Sequence, residues 1–155
     1  MTFSLPGLLV SVAILAPSFL LIAFPPRGAP APPRIPMLLT VLERVGQAGC
    51  LIAPTLTGQP PGSAWWMGGI IAAIAAYYAV WIRYFTSRRA FSALYAPVGP
   101  LPVPLAVFPV LGFGLAAGWL ESWWVGLAAA ALAVGHIGSS LRTASAVGKA
   151  GRPHA

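Results

Sequence analysis

The sequence predicts an all-α integral membrane protein, a helical bundle with about five transmembrane helices. Hydrophobic residues make up 58% of the 155 residues and charged residues only 7%, which leaves too little polar surface to cover a soluble globule. Several stretches reach the roughly 20 mostly apolar residues that a helix needs to cross a hydrocarbon core about 30 Å thick. Because backbone groups in lipid must be satisfied within their own segment, these stretches are predicted to be helical.

The first span has no basic residue before its apolar run and contains Pro6 and Pro17, so we expect it to be retained and not cleaved as a secretory signal. A proline-rich stretch then predicts an extended connector to the second span. Pro104 fits the first turn of the fourth span, where a missing N–H costs nothing. Only Glu121 and Ser122 separate the fourth and fifth spans, which predicts a helical hairpin. The predicted spans are residues 5–24, 37–56, 65–84, 104–120 and 123–141, within a bundle of residues 1–142 followed by a basic flexible tail at 143–155.

The positions of the basic residues predict how the chain is threaded. Lys and Arg occur after the first, third and fifth spans, whereas the loops at residues 57–64 and 121–122 contain neither. By the positive-inside rule, the N-terminus is outside and the C-terminus is cytoplasmic. The high ratio of Arg to Lys and the abundant Ala, Gly and Pro are typical of GC-rich bacterial genomes, so we expect a bacterial inner membrane. The Lys and Arg residues that follow these spans are Arg27, Arg34, Arg88, Arg89, Arg142, Lys149 and Arg152, with Arg83 just before the end of the third span; the ninth basic residue, Arg44, lies within the second span.

Composition also excludes several kinds of chemistry. The single cysteine, Cys50, cannot form an internal disulfide, a redox pair or a structural zinc site, and the two histidines are too few for a bis-histidine haem site. The sequence contains no nucleotide-binding or metalloprotease motif. We therefore expect no metal and no cofactor. The net charge of +7 is spread over loops that set the topology, so we expect membrane lipids and not nucleic acid as partners.

Glu43 and Arg44 interrupt the second span. Counted from the cytoplasmic side, they lie roughly 9 to 11 Å along the helix, which places them within the hydrocarbon. Glu43 and Gln47 share a helical face, whereas Glu43 and Arg44 point about 100° apart and cannot pair well with each other. Each charge therefore needs a partner from another helix, a headgroup or water.

Polar residues of the other spans fall at the same depth. They predict a cytoplasm-facing cleft that binds a small molecule or a lipid, because an ionisable residue within the membrane is by default a candidate functional site. The alternative is that both charges are structural. In that interpretation the Arg44 side chain extends to the membrane interface, and Glu43 pairs with Arg83 or His136. The predicted cluster consists of Glu43, Arg44, Gln47, Tyr77, Tyr78, Arg83 and His136, with Ser139 and Trp81 at the same depth.

Small residues recur at the spacing of helix contacts, which predicts close helix packing with self-association as the alternative. These residues are Gly68, Ala72 and Ala76 in the third span, and Gly114 and Gly118 in the fourth.

The second half of the chain resembles small bacterial multi-pass membrane proteins of unknown activity. The resemblance lies in "YYAVWIRYFTSRRAFSALYAP" at 77–97, the proline-rich fourth span, "GHIGSSL" at 135–141 and "ERVGQ" at 43–47. It implies no activity. The short spans ending in a basic, aromatic loop are also faintly similar to isoprenylcysteine-type membrane methyltransferases, but this sequence lacks their Arg-His-Pro motif, so it carries over neither a cofactor nor a catalytic residue.

Three functional classes remain. A non-catalytic membrane subunit or small-ligand or lipid-binding protein, with a membrane protein partner or a second copy, fits a polar cluster that lacks a recognised reacting constellation. A small transporter or proton-coupled carrier would need polar groups through to the outer face. A membrane enzyme acting on a lipid-like substrate would use Glu43 or His136 as acid or base and Arg44 for an anionic headgroup.

Overall fold

The computed structural model of the chain describes residues 2–58 and 62–150. In these ranges the protein is all-α, as predicted, and contains no strand, only two isolated bridges. The helices begin and end within two residues of the predicted spans, except that the fifth span continues past its predicted end. The helices are α1 (Leu5–Ala23), α2 (Met37–Thr55), α3 (Ala64–Thr86), α4 (Phe91–Tyr95), α5 (Pro104–Trp119), α6 (Trp123–Leu132) and α7 (Gly138–Ala150), with a π-helical turn (Ala133–Ile137) joining α6 and α7.

Three helical stretches of the described chain are long and apolar enough to cross a membrane, which indicates a membrane protein. They are α1, α3 and the continuous stretch Trp123–Lys149. The helix α5 is also apolar but has only 16 residues, and α2 carries the charged pair Glu43 and Arg44.

The five long helical segments pack as a bundle in which α5 contacts each of the other four. Helix α1 lies antiparallel to α2, since the Ser4 N–H donates to the Thr55 carbonyl at one end and the Ser11 hydroxyl donates to the Cys50 carbonyl further along. Helix α2 then packs on α6, α6 on α5, and α5 on α3, which returns to α1. The tight turn between α5 and α6 forms the predicted hairpin.

Glycines bring α2 against α6 and the π-helical turn. A Cβ at Gly46 would collide with the backbone of Leu132, and one at Gly135 would collide with the backbone of Glu43. The prediction of close packing was wrong at Gly68 and Gly114, where a Cβ would meet nothing within 4 Å, and was confirmed at Gly118, where a Cβ would collide with the Trp66 ring. A GxxxG spacing alone does not say which helical face meets a neighbour.

The apolar core fills the middle of the bundle. Its largest buried side chains are contributed by five helices and pack into one cluster. A second, aromatic cluster of Tyr77, Trp81, Tyr84 and Leu94 lies nearer to the end of α3. The first cluster is centred on Ile14, Cys50, Ile70, Phe113, Val125 and Leu132.

The two ends of the bundle differ in charge. At one end, called the basic end here, α1 and α3 end and α2 and α5 begin, and the Arg27 N–H donates to the Arg89 carbonyl over 2.8 Å. At the opposite end, the stacked pairs Trp65–Trp66 and Trp123–Trp124 lie near the starts of α3 and α6.

Two features of the basic end were not predicted. The short helix α4 follows α3, and α7 continues as a helix to Ala150, through the first part of the segment predicted to be a flexible tail. Residues 151–155 of that tail, with Arg152 and His154, lie outside the described residues.

Candidate functional site

Glu43 joins α2 to the helical stretch opposite through two hydrogen bonds. The Nδ1 atom of His136 lies 2.8 Å from Glu43 Oε1, and the Ser139 hydroxyl donates to Glu43 Oε2 over 2.9 Å. Because a carboxylate only accepts, Nδ1 carries the proton in this pair. The side chains of His136 and Glu43 are 28% and 23% exposed to solvent, so the pair is half-buried.

The local backbone explains how these groups meet. His136 belongs to the π-helical turn, whose wider i→i+5 geometry shifts the positions of the side chains relative to a regular α-helix. Gly135, the preceding residue, has no Cβ and lets the turn lie directly on the backbone of Glu43. Single π-helical turns within α-helices are frequent at functional sites, which marks this turn as a candidate.

A cavity of about 100 Å³ lies beside His136, between α1, α3, α4, α5 and α7. Its walls are mostly apolar or aromatic, with a few polar groups from different helices. A volume of this size holds several water molecules or one small molecule. The lining residues include Ser18, Tyr77, Trp81, Tyr95, His136 and Ser140.

Trp81, one of the residues that line this cavity, has an unsatisfied donor. Trp81 is 3% exposed, and its indole N–H has no hydrogen-bond partner among the described residues. The neighbouring Tyr77 hydroxyl lies 3.3 Å from Ser18 Oγ. A buried polar group without a partner costs free energy, and this donor belongs to a residue of the cavity wall.

Tyr95, at the end of α4, lines the same cavity. Burial, and then the negative charge of Glu43, raise the pKa of the Tyr95 hydroxyl. Tyr95 therefore remains a neutral donor and acceptor over the physiological range. Tyr95, Ser18 and Ser140 were missing from the predicted cluster because depth along each helix gives no information about loop residues or neighbouring faces.

The structure brings together only part of the predicted cluster. Glu43 and His136 are hydrogen-bonded, and Tyr77 lines the cavity that His136 reaches. Gln47 lies one turn further along α2 and takes no part in these hydrogen bonds, while Arg44 is exposed on another face of the same helix.

The other two predicted members bind backbone elsewhere. The Tyr78 hydroxyl donates to the Ala13 carbonyl of α1 over 3.0 Å. Arg83 donates to three carbonyls around the end of α4, those of Ala93, Ala96 and Pro97. Arg83 thus anchors α4 to α3.

The order of groups in the cluster limits its chemistry. A serine nucleophile needs its hydroxyl next to the imidazole, which would take the proton. Here the Ser139 hydroxyl donates to the Glu43 carboxylate and is 3.2 Å from the His136 backbone carbonyl, so the acid lies between histidine and serine. The arrangement orients His136 and does not activate Ser139.

A larger open groove of about 550 Å³ lies at the opposite end of the bundle. It is lined by residues at the end of α2 and the start of α6, among them Thr57, Glu121, Ser122 and Trp123. The buried apolar cluster around Phe113, Ile14 and Leu132 fills the bundle between this groove and the cavity at His136.

Comparison of the chain with protein-family models, with curated proteins and with solved structures found no match.

Proposed function

We propose that the protein is a non-catalytic membrane protein that binds a small hydrogen-bonding molecule in the cavity beside His136. The observation that carries this proposal is the cavity of about 100 Å³ whose mostly apolar lining includes His136, Ser18 and Ser140, together with Trp81, whose indole N–H has no hydrogen-bond partner among the described residues. Such a site is typical of small-ligand binding, since apolar walls enclose a few polar groups that fix orientation.

The His136 imidazole supplies a second polar contact. With Nδ1–H held by Glu43, the neutral ring offers Nε2 as an acceptor, and the protonated ring offers it as a donor. A molecule that carries both a donor and an acceptor would satisfy Trp81 and His136 together. The volume of about 100 Å³ limits it to a few heavy atoms or to one end of a longer molecule.

Catalysis is less well supported than binding. The carboxylate separates Ser139 from the imidazole, so the cluster offers no activated nucleophile. Arg44, which an enzyme acting on an anionic lipid would use beside Glu43, is exposed on another face of α2.

Transport is also less well supported. A carrier needs a polar route between the two faces of the membrane. The residues between the cavity and the groove near Glu121 are apolar and fully or nearly fully buried, among them Phe113, Ile14 and Leu132.

The proposed location is the bacterial inner membrane, with five spans formed by α1, α2, α3, α5 and the helical stretch from α6 to α7. The clustering of basic residues at one end of the bundle and of paired tryptophans at the other supports an outside N-terminus and a cytoplasmic C-terminus. Under this placement the cavity lies in the cytoplasmic leaflet.

The test of the binding proposal is native mass spectrometry of the protein extracted from its own membrane in mild detergent. Ser140→Leu fills the cavity and replaces neither member of the Glu43–His136 hydrogen bond, so we expect the wild-type protein to retain a bound molecule and this variant to lose it. The indole N–H resonance of Trp81, assigned by Trp81→Phe, should shift between the two proteins.

Ser87→Leu is the matched control, because it makes the same change at an exposed position after α3. It should retain the molecule. A wild-type protein that carries no bound mass, or a Ser140→Leu variant that keeps it, would contradict the proposal.

A further inference from the structure

A groove of about 550 Å³ runs between the connector after α1 and one face of α7, at the basic end. It is lined by three cations from two separate segments: Arg34 from the connector and Arg142 and Lys149 from α7. All three side chains are exposed.

The positions on α7 follow helical geometry. Gly138, Arg142, Ser145 and Lys149 recur at spacings of four, three and four residues, so they form one stripe along the helix. The first of them, Gly138, packs against Leu39 of α2. The connector then brings Arg34 to the same stripe.

No Asp or Glu side chain of the described residues neutralises these cations. The whole chain has two acidic residues, Glu43 and Glu121. Glu43 is bound by His136 and Ser139, and Glu121 follows α5 at the other end of the bundle. The groove therefore attracts an anion, and three exposed cations without counter-charges suit a phosphate group.

Apolar surface borders the groove. Leu141 lines it and is 40% exposed, while Met37 and Leu38, which follow the connector at the start of α2, are 80% and 67% exposed. A free phosphate ion would use the cations alone, whereas a phospholipid would use both surfaces.

We propose that this groove binds the phosphate of an anionic membrane lipid, with Arg34, Arg142 and Lys149 around the headgroup and an acyl chain along Leu141, Met37 and Leu38. The proposal rests on the membrane placement proposed above, in which the basic end faces the cytoplasm. It does not depend on the cavity beside His136, because no residue lines both sites.

The experiment is native mass spectrometry of the full chain in detergent, titrated with phosphatidylglycerol, with phosphatidylcholine and with inorganic phosphate. We expect phosphatidylglycerol to bind more tightly than the other two. Each Lys or Arg near an anionic lipid surface contributes about fivefold in affinity, so Arg142→Gln with Lys149→Gln should weaken phosphatidylglycerol binding by roughly 30-fold.

Two controls separate this site from net charge and from unfolding. Arg88→Gln with Arg89→Gln also removes two charges at the basic end but lies outside the groove, and should leave binding within about twofold. The charge-preserving pair Arg142→Lys with Lys149→Arg should bind nearly as well as the wild type.

Three results would overturn the proposal. Equal losses in the two double glutamine variants would mean that binding follows net charge. Inorganic phosphate bound as tightly as phosphatidylglycerol would mean a soluble-anion site. Phosphatidylcholine bound as tightly as phosphatidylglycerol would mean that the cations are not used. None of these results changes the outcome expected for Ser140→Leu, so the two proposals fail separately.

Discussion

At the scale of single residues, two adjacent charges have opposite surroundings. Glu43 lies against the π-helical turn and accepts from His136 and Ser139, whereas Arg44 is exposed. The 100° between successive side chains on a helix accounts for the difference, because only one of two neighbours can face the next helix. Alanine substitutions at Glu43 and Arg44 can therefore be compared directly, with Arg44 as the control.

Removing the Glu43 carboxylate should destabilise the protein, and removing the Arg44 guanidinium should not. Glu43→Ala leaves the His136 and Ser139 donors without their acceptor, and we expect the free energy of unfolding to fall by about 1–2 kcal/mol. Arg44→Ala should change it by less than about 0.5 kcal/mol. Reversible unfolding in mixed micelles measures both.

Equal destabilisation by Arg44→Ala and Glu43→Ala would contradict this prediction. It would mean that the exposed arginine has a structural partner that this geometry does not provide. The His136→Ala variant closes a double-mutant cycle with Glu43→Ala. Because the two side chains are in contact, their effects should not add.

The partners of these residues could be predicted only in part from sequence. Depth along the spans correctly named His136 as an alternative partner of Glu43. The same argument also offered Arg83, which instead binds the carbonyls after α4. The depth of a residue along its span gives its level in the bilayer. The rotation of each helix about its own axis decides which residues at that level are in contact.

At the scale of helices, the apolar runs predicted the ends of α1, α2, α3 and α5 closely, because a switch from apolar residues to Pro, Gly or charge is a strong local signal. The π-helical turn after α6 left no such signal, since "AVGHI" is equally compatible with an α-helix. Its geometry depends on packing against α2, which local sequence does not encode.

Gly135 is the point at which that packing is most sensitive. Gly135→Ala places a Cβ against the backbone of Glu43, which cannot move as a flexible side chain would, so we expect a loss of about 1–3 kcal/mol in unfolding free energy. The matched control is Gly114→Ala, where a Cβ would meet nothing within 4 Å. That variant should be neutral or gain up to about 1 kcal/mol from helix propensity.

Unfolding measurements in the same micelles compare the two alanine variants. A destabilised Gly114→Ala together with an unaffected Gly135→Ala would restore the GxxxG packing predicted from sequence and contradict the packing of α2 on the π-helical turn.

At the scale of the whole molecule, one end of the bundle carries basic residues and the other end carries the paired tryptophans. Arg27 and Arg89 are joined through their backbones at the basic end, and Arg34, Arg142 and Lys149 line one groove there. Loop charge alone predicted this polarity from the sequence, because antiparallel helices of similar length bring alternate loops to the same end. The sequence did not predict that three cations line one groove. That grouping depends on the position of α7, whereas the residues beyond 142 were predicted to form a flexible tail.

The polarity of the bundle makes the proposed orientation testable with single cysteines. Ser63 and Ser87 cap the two ends of α3, both are exposed, and the native Cys50 is fully buried, so the unmodified protein should react little. In intact right-side-out vesicles, a membrane-impermeant maleimide should label Ser63→Cys, since this end carries the tryptophan pairs. Ser87→Cys, next to Arg88 and Arg89, should be labelled only after the vesicles are opened, because basic loops are retained in the cytoplasm. The reverse pattern would invert the orientation, and labelling of both cysteines from outside would mean that α3 does not cross the membrane.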